Sequence, residues 1–252
     1  MNNYSVSISA RRKEDSQVSL ALFLRVHFHV VPLDKIDSVF GFNDPCRLYG
    51  GCKYIGPELD DRDLAWMYAN NIGYRIPLSN MIVGRSDYES AKSFLEKHHR
   101  KDNSVIVVKD SLARWIRKDF PLYHIECSVI RSTDTVEKLN KALDIYDTVV
   151  PLPEAFNADY ELLESLPQTT KDRVRLFLNV GCALHCPQRI CYRSFSRMNR
   201  GEPGAKFECS QKSNSYVFKE GMTNFPMEEY QKIGYTKFKM LRAKPYLNST
   251  AF

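Results

Sequence analysis

The chain has 252 residues, 43% of them hydrophobic, with 36 Lys and Arg against 30 Asp and Glu and a formal net charge of +6. That length and apolar share exclude a disordered chain and a small disulfide-stapled scaffold, and so mild a basic excess does not by itself mark a nucleic-acid binder. Seven cysteines, four of them between 182 and 209, and a start without a basic, apolar leader point to a reducing cytoplasm, where clustered thiols serve as metal ligands or catalysts.

Residues 4–9 alternate as a strand does, 11–15 form a charged break, and 18–31 reads as a helix or a long strand. The alternation of Val26, Phe28 and Val30 with His27 and His29 favours a strand for its second half. This stretch is too short and too charged to span a bilayer. The two histidines stand two apart, a spacing that can chelate a metal from one strand face, although most such pairs are only a polar face. Residues 1–36 are set aside as an N-terminal extension, and 37–252 are assigned to one barrel domain.

From Ile36 onward a strand–helix rhythm sets in. Strands are expected at 38–42, 74–78, 104–108, 122–129, 148–152, 174–179, 216–218 and 236–241. Amphipathic helices are expected at 60–70, 86–99, 111–118, 133–146, 159–166 and 226–233, with caps at Asp60, Ser86, Ser111, Thr133 and Asp159. Eight strands alternating with helices over this length predict an α/β fold, a (β/α)8 TIM-like barrel in a single domain, irregular at its N-terminus. A doubly wound open sheet fits less well, because neither a GxGxxG turn nor a P-loop is present.

The segment 180–191 carries the chemistry. The apolar run 174–179 opens directly into Cys182, Cys186 and Cys191, and Cys209 follows after a gap of seventeen residues. A strand that ends in such a loop holds its thiols at the carboxyl end of the sheet, where parallel α/β folds place their sites. Thiolates are soft ligands for zinc, copper(I) or iron–sulfur clusters. The spacing is a poor match to paired CxxC zinc knuckles and an acceptable one to four cluster ligands. The expected metal ligands are therefore Cys182, Cys186, Cys191 and Cys209, binding a 4Fe–4S cluster, with zinc as the alternative. Arg189, Arg193 and Lys212 would offset part of the thiolate charge. Cys46 and Cys52 read as lone or buried thiols, and Cys127 as core packing.

Polar residues at strand ends are the substrate candidates: Asn80 and the loop residue Arg47 for binding, Asn179 for catalysis, and Lys239 and Arg242 for both. Cationic side chains at a barrel rim suit an anionic substrate. Glu126 lies mid-strand among apolar neighbours, where it needs a partner or a raised pKa; it is a weak general-base candidate.

Two segments resemble a known family. Asn179-Val180-Gly181-Cys182-Ala183-Leu184-His185-Cys186-Pro187 is similar to a cysteine segment of TIM-barrel proteins related to the peptidase U32 (collagenase-like) family. Residues 225–242, with Pro226, Tyr230, Gly234, Phe238-Lys239 and Arg242, resemble that family's closing stretch, although its Gly-Arg ending is Leu241-Arg242 here. The segments 38–41 and 73–80 are weaker matches to its first two barrel strands. The resemblance implies a barrel with a 4Fe–4S cluster on four cysteines. It also implies relatives that are oxygen-independent hydroxylases of RNA bases or of a quinone-precursor ring, the RNA-modifying ones drawing their hydroxyl from prephenate. The expectation is a cytoplasmic, hydroxylase-like redox enzyme acting on a nucleobase or aromatic ring, with a small-molecule or nucleic-acid substrate and no membrane. The alternatives are a non-catalytic barrel with a structural metal and a peptidase, the latter without a Ser/His/Asp or zinc-protease constellation to support it.

Overall fold

The computed structural model describes residues 4–11, 18–184, 186, 188–210 and 222–241. In chain order its first half runs β1 (Ser5–Ser9), α1 (Leu20–His27), β2 (Ile36–Phe40), α2 (Asp61–Ala69), β3 (Gly73–Ile76), α3 (Arg85–Ser90), α4 (Lys92–Lys97), β4 (Ser104–Val107) and α5 (Asp110–Asp119). There follow β5 (His124–Cys127), α6 (Val136–Leu143), β6 (Thr148–Val149), α7 (Tyr160–Ser165), α8 (Gln168–Lys171), β7 (Leu176–Phe177), β8 (Asn179–Val180), α9 (Ile190–Asn199), β9 (Thr223–Asn224), α10 (Met227–Lys232) and β10 (Lys237–Met240). Among the described residues no helix is long and apolar enough to cross a membrane.

Eight strands form one parallel sheet in the order β6-β5-β4-β3-β2-β1-β10-β7. Its two edges meet through a parallel bridge between Val149 and Val174. There the Val149 N–H donates to Arg173 O at 2.9 Å and the Arg175 N–H to Val149 O at 2.9 Å. The sheet thus curls into a TIM-barrel-like ring with helices outside it, while β8 and β9 make a separate antiparallel pair.

Period-two alternation builds the ring. In Tyr74-Arg75-Ile76, Ile125-Glu126-Cys127 and Phe238-Lys239 the apolar members are fully buried and belong to the main hydrophobic core, together with Leu64, Met67, Leu112, Ile116, Leu139 and Leu163 of the surrounding helices. Each such side chain contributes roughly 1.5–3 kcal/mol on burial, more than short helices of this kind gain from their own hydrogen bonds. Many of the alternate residues, which face the barrel axis, are polar: Ser7, Ser38, Arg75, Ser104, Glu126, Arg175 and Lys239, all buried. Barrel interiors are more often filled by branched apolar side chains.

Several expectations change here. Within the stretch expected to be an extension, residues 5–9 belong to the barrel sheet, since β1 pairs with β2 on one side and β10 on the other. Of the two readings of 18–31 the helix holds over 20–27, and the strand favoured for its second half does not form. Ser19 caps α1 by accepting from the Leu22 N–H at 3.3 Å, and Leu20, Phe23 and Leu24 bury one helical face. Val26 and Val30, which suggested a strand, are 57% and 66% exposed, so helical spacing of the larger side chains overrides the two-residue alternation. The His27 ring lies tilted against that of Phe23, centroids 4.9 Å apart, within that helix. The stretch 86–99 breaks at Ala91 into α3 and α4, and the caps expected at Ser111 and Thr133 fall instead at Lys109 and Thr135. Asp60 and Asp159 cap as expected. The strand expected at 216–218 lies outside the described residues.

Candidate functional site

The strands deliver their last residues to one cavity of about 220 Å³ at their carboxyl ends. Its walls are mostly apolar, with Phe40, Ile106, Leu152, Phe177 and Leu241 among them. The Lys239 ammonium sits at its floor, 4.5 Å above the Phe40 ring. Lys239 is 5% exposed, and its Nζ donates to Glu126 Oε1 at 3.1 Å. Burial lowers its pKa, and the Glu126 carboxylate opposes that shift only in part.

Glu126 anchors the polar interior. Its Oε2 accepts from Arg175 Nε at 2.9 Å and from Arg75 Nη1. Burial pushes its carboxyl pKa up, but Arg75, Lys239 and Arg175 outweigh that and bring it down to about 2. A carboxylate gripped by three cations stays ionised, so Glu126 is not a general base. Arg175 also donates to Asp37 Oδ2 at 2.8 Å and to the Phe238 carbonyl at 2.9 Å, and Arg75 Nε donates to Ser38 Oγ at 2.9 Å.

The roof of the cavity comes from the chain between β7 and β9. Cys182 and Cys186 follow β8, Cys191 is the second residue of α9, and Cys209 returns after that helix. All four line the cavity, and none of the seven cysteines is in a disulfide. Arg189 shapes the turn between them from a left-handed backbone, φ 48°, a conformation that costs a non-glycine residue of order 1 kcal/mol or more. The surroundings hold it there. Its N–H donates to Cys186 Sγ at 3.3 Å, its Nε to the Ala183 carbonyl at 3.0 Å, and its guanidinium pairs with Glu154 beyond β6. Ser210 Oγ lies 3.0 Å from Cys186 Sγ.

α9 is clamped across the loops that leave β2 and β3. Asn199 donates to the carbonyls of Tyr49 and Cys52 at 3.0 and 2.7 Å and accepts from the Tyr54 N–H at 2.8 Å. Ser196 Oγ accepts from the Met81 N–H at 3.0 Å, and Arg200 pairs with Asp87 at 3.3 Å. Beneath the helix the two loops touch at Gly50, where a Cβ would come 2.2 Å from the Ser79 carbonyl oxygen, so only glycine fits.

Thiols are the donors that a thiophilic group takes. Burial, then the neighbouring thiols Cys186 and Cys209, push the Cys182 pKa up to about 11. Burial, then Cys182, Cys186 and Cys209, push Cys191 up to about 12. Ionisation of Cys182 and Cys191 is thus disfavoured by burial and by the neighbouring sulfurs, an effect that a bound cation opposes. Among the described residues no three Cys, His, Asp or Glu side chains stand in an arrangement that would hold a single metal ion.

The fold is similar to that of the U32 peptidase Mk0906. The similarity covers 97% of this chain and 95% of that chain, with a TM-score of 0.64 at 14% sequence identity. No family model matches the chain, and no curated protein matches it. The likeness supports a U32-like fold, as the resemblance read from residues 179–187 and 225–242 implied.

The other predicted rim residues fare unevenly. Asn80 is fully buried and does not face the cavity. Its Nδ2 donates to the carbonyls of Arg47 and Ser196 at 2.9 and 3.0 Å, and its Oδ1 accepts from the Ile82 N–H at 3.0 Å, so it clamps α9. The Arg47 side chain is exposed to solvent, away from the cavity lining. Asn179 pins the strand end after β10, donating to the Leu241 carbonyl at 2.8 Å and accepting from its N–H at 2.7 Å. Lys212 and Arg242 lie outside the described residues. Sequence reading missed Arg75 and Arg175, which meet Glu126 across 51 and 49 residues of chain. It also missed Cys52 as a wall of the mouth.

Proposed function

We propose that the protein is an iron–sulfur redox enzyme acting on an aromatic ring or nucleobase that carries negative charge. Cys182, Cys186, Cys191 and Cys209 would hold a 4Fe–4S cluster, which supplies one-electron chemistry when bound. One observation carries the reading: four thiols from separate pieces of the roof line the same cavity as the Lys239 ammonium.

The rest follows from what this chain's own residues can do. Phe40 and Phe177 offer flat apolar walls to a ring. Lys239, held by Glu126, offers a fixed positive charge at the floor to a carboxylate or phosphate on that ring. Ser9 Oγ accepts from the Arg11 N–H at 3.2 Å and Ser128 Oγ from the Ile130 N–H at 3.2 Å, which leaves both hydroxyl hydrogens to donate to a ligand. The cavity suits one ring, so a nucleobase would enter only when swung out of its strand. Among the described residues no histidine lines the cavity.

The test is electron paramagnetic resonance of the reduced, iron- and sulfide-reconstituted chain. We expect a cluster signal that shifts on adding an aromatic carboxylate, and a Lys239→Met variant that keeps the signal and loses the shift. A chain that takes up no cluster, or a signal indifferent to every aromatic anion, would overturn the reading.

A further inference from the structure

The barrel has a second polar cavity, of about 210 Å³, at the opposite end from the mouth. Three of its walls stand side by side in register on adjacent strands, Arg75 against Ser104 and Ser104 against His124. Arg175, Lys101 and Lys237 complete the basic lining, and Asp37 and Asp102 are the carboxylates there. Four cations and two carboxylates line it, burial lowers the His124 pKa, and Glu126 behind the lining pairs with both Arg75 and Arg175, which leaves one positive charge in excess. Asp37 is already engaged, taking hydrogen bonds from Arg175 at 2.8 Å and Ser5 at 2.9 Å. Arg75 Nη2 comes no nearer to it than 3.9 Å, too far for a hydrogen bond.

Ser104 supplies a second, independent sign. It is 4% exposed, and its Oγ has no hydrogen-bond partner. A buried hydroxyl without a partner is uncommon and calls for an explanation such as a missing ligand or water. Gly73 keeps the turn into β4 pressed over this cavity, because a Cβ there would come 2.0 Å from the Asp102 carbonyl oxygen.

We infer that this lower cavity binds a small oxyanion, a phosphate or the phosphate of a monoester, taken by Arg75, Ser104 and Lys237. A tetrahedral oxyanion fits the lining: it accepts guanidinium, hydroxyl and ammonium hydrogens together and offsets the excess positive charge. The site is independent of the cysteine roof.

Isothermal titration of the full chain with inorganic phosphate, at constant ionic strength in chloride, tests it. Glycerol phosphate and a melting curve with and without phosphate run alongside. We expect saturable binding and a raised Tm that chloride does not reproduce, with Lys237→Ala and Ser104→Ala each weakening binding at least tenfold. Ser104→Ala separates a ligand role from a structural one: the ligand-free Tm holds or rises, while the phosphate-dependent rise shrinks. Glycerol phosphate binding as well as phosphate identifies an ester as the natural source, and phosphate alone the free ion. No saturable heat up to about 10 mM phosphate, a rise equalled by chloride, or binding untouched by both substitutions would overturn the inference.

Discussion

The barrel interior and the cysteine roof are both polar, and they are held in opposite ways. Inside the barrel, Glu126 holds Arg75, Arg175 and Lys239, and Arg175 also holds Asp37, so charges from distant parts of the chain answer one another. In the roof, four sulfurs share one cavity while the helix that carries Cys191 is fastened to the barrel by side chains other than the thiols. Charges that neutralise one another serve the fold. In the roof the thiols gather at one cavity, and Asn80, Ser196 and Asn199 do the fastening of α9.

Breaking the interior should cost most. Glu126→Ala leaves three buried cations without their shared carboxylate, and we expect a loss of about 3–5 kcal/mol in urea unfolding. A loss below about 1 kcal/mol would mean the network is dispensable. Next in size is the acid dependence. The Glu126 pKa is about 2 in the folded protein against an ordinary 4.5. Its contribution, on the order of 3 kcal/mol, is therefore full above pH 4.5 and is lost as pH falls toward 2. His98, buried and lowered from 6.5 to about 4, adds an earlier loss as pH falls from 6.5, because the unfolded chain takes up that proton first. Melts between pH 7 and 3 should show both, and Glu126→Gln should flatten only the lower window.

Loosening the roof should cost less and read out differently. Asn199→Ala removes three hydrogen bonds to the 49–54 loop, for about 2 kcal/mol, and should speed alkylation of Cys182 and Cys191 while the barrel's circular dichroism is unchanged. Asn179→Ala, which frees only the Leu241 backbone, should cost about 1 kcal/mol and leave ligand binding at Lys239 intact. Equal alkylation rates in Asn199→Ala and the parent chain would remove the distinction between roof and barrel.

Much of the barrel was legible because its outer strand faces and helices carry strong apolar periodicity, as in 104–108 and 136–143. Residues 18–31 misled because Val26 and Val30 are apolar but exposed, so hydrophobicity there does not report burial. The membership of β1 was hidden because its partner β10 lies more than 220 residues away in the chain. That Cys182, Cys186, Cys191 and Cys209 come to one cavity was legible from their spacing. Glu126 was not, since a buried carboxylate reads as a perturbed base until Lys239, 113 residues on, is seen beside it. Yet Arg75, His124, Glu126, Lys237 and Lys239 all sit on the polar phase of a two-residue alternation, the one local sign that the barrel axis is charged.

The most direct measurement is iron and acid-labile sulfide in the full chain purified without oxygen, with its visible spectrum. We expect brown protein with about four irons per chain, and bleaching in Cys182→Ser and Cys191→Ser with the fold retained. Colourless protein carrying one zinc, or iron that survives both substitutions, would contradict a four-thiolate centre at the barrel mouth.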